Sequence, residues 1–258
     1  MAHIKGYHVG DIQAQAAFTS EIEINGLPSL QDVVNYQEEH RKTMDTRPGM
    51  YLKYLPHRYD AVNGELRSGG AYLFDTYENA SNYSDWTTNT FEINEPKEKF
   101  WSQSLFKAST RFVWKVIGAT NFAPVEVHAV GRFQRWGYTG PDAERELRLA
   151  YPELKKKAEE QGAVAFWLLH HPAEKQIGIQ LVFAKAAAAD PVAVGHESLT
   201  RAAAQGSLGS LLQPLIDAKK KVDYISLFLA IWLPISRVNG GIPHSAPMYP
   251  TLPTVQGQ

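Results

Sequence analysis

The chain has 258 residues, an apolar share of 44% and a near balance of 26 basic against 27 acidic residues. That length suits one large domain or two of ordinary size, and the balanced charge argues against a nucleic-acid backbone or an anionic membrane as partner. There is no cysteine, which excludes disulfides, thiolate zinc sites and cysteine nucleophiles and fits a bacterial cytoplasm.

Residues 1–10 lack the apolar stretch of a secretory signal. Residues 18–24 alternate as a half-buried strand does. Ser29 is a candidate N-cap for a helix in which Leu30, Val33, Val34, Gln37, Arg41 and Met44 fall at helical spacing. His40 of that helix is expected on the solvated flank. Arg47-Pro48-Gly49 ends the helix, and a second strand is expected over 50–59. A turn at Asn63-Gly64 leads to a third strand over 69–75, a helix over 77–91 and a fourth strand over 110–119.

The same series then recurs. A strand over 125–136 precedes a helix opened by Pro141 and Asp142, with Ala143, Leu147, Ala150, Leu154 and Ala158 on one face. Pro152 is expected to kink or split that helix. A hairpin over 164–169 and 176–184 follows, then a helix over 198–219 and a last strand over 222–233. The longest apolar run, 224–235, is too short to cross a bilayer and suits a buried strand. The order β-α-β-β-α-β, met twice, points to an α+β protein of two tandem ferredoxin-like units with antiparallel sheets, expected to form an α+β barrel. Their expected bounds are 1–123 and 124–239, and the Pro-rich residues 240–258 suit an extended arm on a neighbouring subunit of a homo-oligomer.

Gly69-Gly70-Ala71-Tyr72-Leu73-Phe74-Asp75, followed by Tyr77-Glu78-Asn79-Ala80 and Tyr83, resembles the third strand and second helix of the YdhR-type monooxygenase family. The likeness covers roughly the first 120 residues. It implies the dimeric α+β barrel fold, a class that also holds isomerases, polyketide cyclases and haem proteins. Two units in one chain depart from the usual single-unit pattern of that family.

Strand alternation nominates the site. On 125–136 the even positions Glu126, His128, Arg132 and Gln134 are expected to face the barrel interior, with Gln180 from the hairpin and Tyr224, Ser226 and Trp232 from the last strand. Arg111 and Lys115 lie on one face of the fourth strand, with Phe112, Trp114 and Val116 on the other. Arg132 either pairs with Glu126 or another carboxylate, with His128 hydrogen-bonded nearby, or takes a substrate carboxylate while His128 or Tyr224 moves a proton, beside Ser226. Arg111, Gln180, Trp114 and Trp232 complete the expected binding set, and Trp86, Trp101, Trp114 and Trp136 are candidates to stack on a conjugated ligand. The adjacent His170 and His171 are expected at an exposed hairpin end and point to opposite faces, poor geometry for one metal. The runs 155–157 and 219–221 are expected as solvated helix-end lysines.

No P-loop, G-x-G-x-x-G, H-E-x-x-H or G-x-S-x-G pattern occurs. Three readings remain for a small-molecule protein without a metal. The first is a cofactor-independent isomerase of a conjugated, carboxylated ring-fission product, compatible in build with the cis–trans isomerases of bacterial syringate and lignin-monomer catabolism. The second is a cofactor-free monooxygenase of an electron-rich aromatic. The third is a haem or small-ligand binding barrel. Arg132, with Arg111, favours the isomerase.

Overall fold

The structure, a computed structural model, describes residues 8–26, 28–60, 63–94, 96–124, 129–184 and 208–232. In chain order its elements are β1 (Gly10–Asp11), β2 (Ala16–Ile24), α1 (Leu30–Met44), β3 (Met50–Tyr59), β4 (Leu66–Phe74), α2 (Tyr77–Asn89), β5 (Glu92–Ile93), β6 (Glu98–Lys99), β7 (Phe106–Asn121), β8 (Ala129–Tyr138), α3 (Ala143–Glu160), β9 (Ala163–His171), β10 (Gln176–Ala184) and β11 (Ile216–Trp232). Short 3-10 turns occupy Phe100–Ser102 and Leu208–Leu212. The chain divides into two units, residues 15–114 with 230–258, and residues 1–14 with 115–229.

In the first of these units the strand order is β7-β2-β4-β3, the last-first-third-second order of a ferredoxin-like sheet. Local chemistry fixes the helices. The Ser29 hydroxyl accepts from the Asp32 amide at 3.1 Å while the Asp32 carboxylate accepts from the Ser29 amide at 2.9 Å, so two donors at the start of α1 are satisfied reciprocally. Thr76 Oγ1 accepts from the Asn79 amide at 3.1 Å and caps α2. The sheet buries Ala16, Phe18, Met50, Tyr72 and Phe74 against Ala80 and Tyr83 of α2. Two glycines of the Gly69-Gly70 motif make this packing possible. A Cβ on Gly70 would stand 2.5 Å from the Tyr72 hydroxyl, and one on Gly69 2.3 Å from the Ser20 carbonyl oxygen.

The second unit repeats the order as β11-β8-β10-β9, so β8 holds the place that β2 holds in the first. Among the described residues its strand pairings are antiparallel, including β9 with the 115–121 end of β7. Each unit is therefore α+β, as the sequence leads one to expect. Leu147, Leu154 and Ala158 of α3 pack on Ile177, Ile179 and Leu181 of β10. Pro152 lies inside α3 without splitting it; Leu147 and Leu154 anchor the helix on either side.

Two expectations need correction. The helix over 198–219 is not formed where it is described: Leu208–Leu212 is a 3-10 turn and β11 begins at Ile216. Residues 198–207 lie outside the described residues, as do residues 240–258 of the expected arm. Ile216 pairs with Tyr138 and Lys221 with Trp136, the register shifting between them. Pairing with β8 on both sides, at Ile216–Asp217 and from Lys221 onward, thus carries residues 218–220 along in the strand against their local helical preference. The second correction concerns faces. Arg132 stands opposite Leu181 and Gln134 opposite Ile179. Directly opposed residues share a face, so Arg132 and Gln134 lie on the α3 side of the sheet and not on the side of Gln180.

Candidate active site

The helix-covered side of the first unit holds a cavity of about 570 Å³ of atom-free space that is partly open to solvent. Its floor is the sheet: Ser20 and Ile22 from β2, Lys53 and Leu55 from β3, Ser68, Gly69 and Tyr72 from β4. Its roof is one stripe of α1, in which Val33, Tyr36, Gln37, His40 and Met44 recur at helical spacing. Tyr83 of α2 and then Phe100, Trp101 and Phe106 close the sides.

Aromatic rings share the lining with aliphatic and polar side chains. Phe100 meets Trp101 edge-on at 4.8 Å, and behind the lining Phe18 stacks on Tyr72 at 5.7 Å between centroids. His40 lies edge-on to Tyr36 at 4.6 Å, one helical turn away. Burial, only partly opposed by Glu39, lowers the His40 pKa, so the ring is held neutral. Burial also raises the phenols of Tyr72 and Tyr83, which stay protonated.

Polar groups reach this space in two ways. Gln37 Nε2 donates to Ser68 Oγ at 3.1 Å, and Ser68 Oγ lies 3.2 Å from His57 Nδ1. Burial pushes His57 down to about 4, so it too is neutral. The one buried ammonium on the floor, Lys53, is neutralised by Asp45 at 2.9 Å. Among the described residues, His40 Nε2, Trp101 Nε1 and Gln37 Oε1 are buried without a hydrogen-bond partner. A spare buried donor or acceptor costs free energy unless a ligand satisfies it. The arrangement suits a planar ring held by stacking, met by a neutral base and a few hydrogen bonds.

The residues singled out from the sequence are dispersed. Arg111 and Trp114 belong to the first unit, and Arg132, Gln180, Tyr224 and Ser226 to the second. Arg132 is clasped by Asp223, Nε donating to Oδ1 at 3.0 Å and Nη2 to Oδ2 at 2.9 Å. Gln134 and Lys221 reach the same carboxylate, each at 2.9 Å. Tyr224 stands opposite Phe133, which stands opposite Gln180, while Ser226 is opposite Gly131 and Gly131 opposite Val182. Gln180, Tyr224 and Ser226 therefore share the face turned away from Arg132. His128 and Glu126 lie outside the described residues, and so does the side chain of Trp232. Trp114 is fully buried and donates to Thr19 at 2.8 Å.

Two expectations about histidines are corrected here, and Trp136 takes the core role usual for a large aromatic. His40 is not on a solvated flank but in the cavity roof. His170 is buried at 3% exposure, with Nε2 at 2.9 Å from the Tyr138 hydroxyl. Trp136 is core in the second unit, because the α3 face includes the even positions of β8. Of the tryptophans, Trp101 lines the cavity and Trp86 stacks on Phe91 at 4.4 Å behind it. The α1 stripe carried the missing signal: its in-facing positions mix Tyr36, Gln37 and His40 with aliphatic residues.

Fold and cavity together define a ferredoxin-like α+β protein with an aromatic pocket under its helices. No family model and no curated protein matches the sequence. Solved structures do share the fold. A protein from Lactobacillus acidophilus, provisionally assigned as a monooxygenase, aligns at 11% identity over 82% of this chain and 93% of its own, with a TM-score of 0.51. A second, from Fusobacterium nucleatum and assigned in the same way, aligns at 10% identity over 83% and 94%, with a TM-score of 0.53.

Proposed function

We propose that the cavity of the first unit is the active site of a cofactor-free monooxygenase acting on an electron-rich hydroxy-aromatic. The observation that carries this reading is a cavity edged by aromatic rings in edge-on and tilted contact, with a neutral base, His40 Nε2, that has no hydrogen-bond partner among the described residues. Tyr72, Phe100 and Trp101 hold the ring by stacking and edge contacts. Ser68 and Gln37 orient its hydroxyl group.

In its keto tautomer the hydroxy-aromatic carries a ring CH2 conjugated with the carbonyl, and His40 Nε2 takes one of its two protons, leaving an electron-rich delocalised anion. One electron passes from that anion to O2, and the carbon radical and superoxide join through a new C–O bond. His40 returns its proton to the outer oxygen, giving a hydroperoxide. Loss of the remaining C–H proton with the outer hydroxide leaves a carbonyl and water. The sum for the reacting carbon is CH2 + O2 → C=O + H2O. The provisional monooxygenase assignment of the two structures that share the fold is in keeping with an oxygen-dependent reaction.

The isomerase reading leaned on Arg132 as a free clamp, and that guanidinium is held by Asp223. Oxygen uptake with a panel of hydroxy-aromatics is the deciding experiment. Consumption of one O2 per carbonyl formed, lost in His40→Gln, is expected. Anaerobic turnover of a conjugated ring-fission acid would return the isomerase to first place. A Soret band in the purified protein would favour the haem-binding barrel.

A further inference from the structure

A serine hydroxyl has one proton to give and two lone pairs to fill. Ser68, buried on the cavity floor, meets two partners. Gln37 Nε2, from the roof, donates to its Oγ at 3.1 Å, and His57 Nδ1 of β3 lies 3.2 Å from the same oxygen. Where the hydroxyl proton goes depends on which His57 nitrogen carries hydrogen. His57 is almost wholly buried, and its Nε2 has no hydrogen-bond partner among the described residues. A buried N–H with no acceptor is rare in folded proteins. The unmatched Nε2 is therefore the bare nitrogen, Nδ1 carries the hydrogen, and His57 donates to Ser68.

Both lone pairs of Ser68 Oγ are thereby filled, and among the described residues no acceptor is left for its own proton. Reversing the Gln37 amide would offer its carbonyl, but only by moving the N–H2 to the place where Oε1 is buried without a partner. The proton is left for the cavity that Ser68 lines. Gln37 and His40 are three residues apart on α1, neighbours on one helical face. The Ser68 donor and the His40 base thus address adjacent parts of one ligand.

We propose that Ser68 is the oxyanion donor of this site and that Gln37 and His57 are positioning residues, two donors that turn its only proton toward the substrate. This rests on the cavity being the active site. It also sets a requirement on the substrate, an oxygen that accepts a hydrogen bond beside the carbon that loses its proton. In the keto tautomer that oxygen is the carbonyl. When His40 Nε2 takes the proton, the C–H electron pair spreads onto this oxygen, and Ser68 holds the growing charge without giving up its hydrogen. Donors on both lone pairs polarise the Ser68 O–H and strengthen the bond it makes.

Nitrogen-15 NMR of the whole chain, labelled at histidine, tests the geometry. His57, identified by the signals lost in His57→Asn, should carry hydrogen on Nδ1, the minor form of neutral histidine in water. Hydrogen on Nε2 would overturn the proposal, because Ser68 would then donate to His57. Anaerobic titration of bound 4-nitrophenol, whose phenolate is coloured, tests the chemistry. Ser68→Ala should raise the apparent pKa of the bound phenol by about 1–2 units over wild type, the worth of a hydrogen bond to a charged group. His57→Asn, which keeps an N–H near the place of Nδ1, should stay close to wild type, whereas His57→Leu should show part of the rise. A His57→Leu value equal to wild type would remove the positioning role of His57. A lowered melting temperature in Ser68→Ala with the bound phenol unchanged would make Ser68 structural and overturn the proposal. Should Ser68→Ala not fold, Ser68→Cys, whose thiol is a weak donor, carries the same comparison. The nitrogen measurement decides alone if 4-nitrophenol does not bind. Oxygen uptake with hydrogen on His57 Nε2 would sink this proposal alone. Hydrogen on Nδ1 and the shifted phenol without oxygen uptake would sink the monooxygenase reading alone.

Discussion

Lys53 Nζ sits 2.9 Å from Asp45 Oδ1, and both side chains are almost wholly out of water, at 0% and 2% exposure. Lys53 also lies 5.1 Å from the Tyr72 ring centroid. Breaking such a pair strands one charge, whereas replacing both members with apolar residues can be neutral. Asp45→Asn should therefore lower stability by about 3–5 kcal/mol. Lys53→Met/Asp45→Leu should recover most of that loss in chemical denaturation. A double variant as unstable as the single one would show that the pair contributes more than mutual neutralisation.

His40→Gln should cut kcat by about 100–10,000-fold with little change in KM, since proton transfer matters in the transition state. Its melting temperature should stay near that of wild type, the ring being only half-buried. Stopped-flow oxygen consumption read beside thermal denaturation separates the two effects. A KM rise at constant kcat would make His40 a wall of the pocket and not its base.

Burial holds His57 neutral, with its pKa lowered from 6.5 to about 4. The unfolded chain then binds more protons between those values, so stability is full above pH 6.5 and declines as pH falls toward 4. The loss amounts to about 3 kcal/mol across that window, at 1.36 kcal/mol per unit. His57→Gln should flatten this part of the pH–stability curve. An unaltered acid slope in the variant would assign it to other groups.

Asp223 offers a second acid-sensitive contact. Burial acts to raise its pKa, but bonds from Arg132, Lys221 and Gln134 outweigh that and hold it below 3.8. Its folded pKa is depressed, so its contribution is present above 3.8 and is lost as pH falls through the lowered value. Arg132→Met should destabilise the fold by about 1.5–3 kcal/mol and leave oxygen-dependent turnover per folded molecule intact. Normal stability with lost turnover would restore Arg132 to the site.

Gly69→Ala would place a methyl group against the Ser20 carbonyl at 2.3 Å, and backbone cannot yield as a side-chain tip does. A loss of about 1–3 kcal/mol is expected from such overpacking. Gly26→Ala, at a site with nothing within 4 Å but φ of +75°, is a control for backbone strain alone.

Much of this was legible from local pattern. The helical spacing of Val33, Gln37 and Met44 marks α1, and Gly69-Gly70 followed by Tyr72 marks a strand built for close approach. The site was harder to read because its key distinctions are non-local. Arg132 and Phe133 differ in face by one position, and only the register with Leu181 and Gln180 decides which is which. The Asp223 partner lies 91 residues further along the chain. Charged Ala218 to Lys221 read as helix because helix preference is local, while the strand that claims them is distant. His40 escaped notice because polar residues in a roof stripe resemble a solvated flank until a sheet is placed beneath.

The three side chains converging on Asp223 also specify alignment. Gln134 is its directly opposed partner, Arg132 its diagonal neighbour on β8, and Lys221 its same-face neighbour two residues back on β11. A slip of one residue would turn Asp223 to the other face of the sheet and leave a guanidinium and an amide facing it unanswered. Irregular pairing between Asp217 and Lys221 makes β11 otherwise tolerant of such a slip. The carboxylate therefore acts as a key cut for one position: it adds little to the depth of the folded state compared with the core, yet it penalises the neighbouring alignment in which Tyr224 and Ser226 would be delivered to the wrong side.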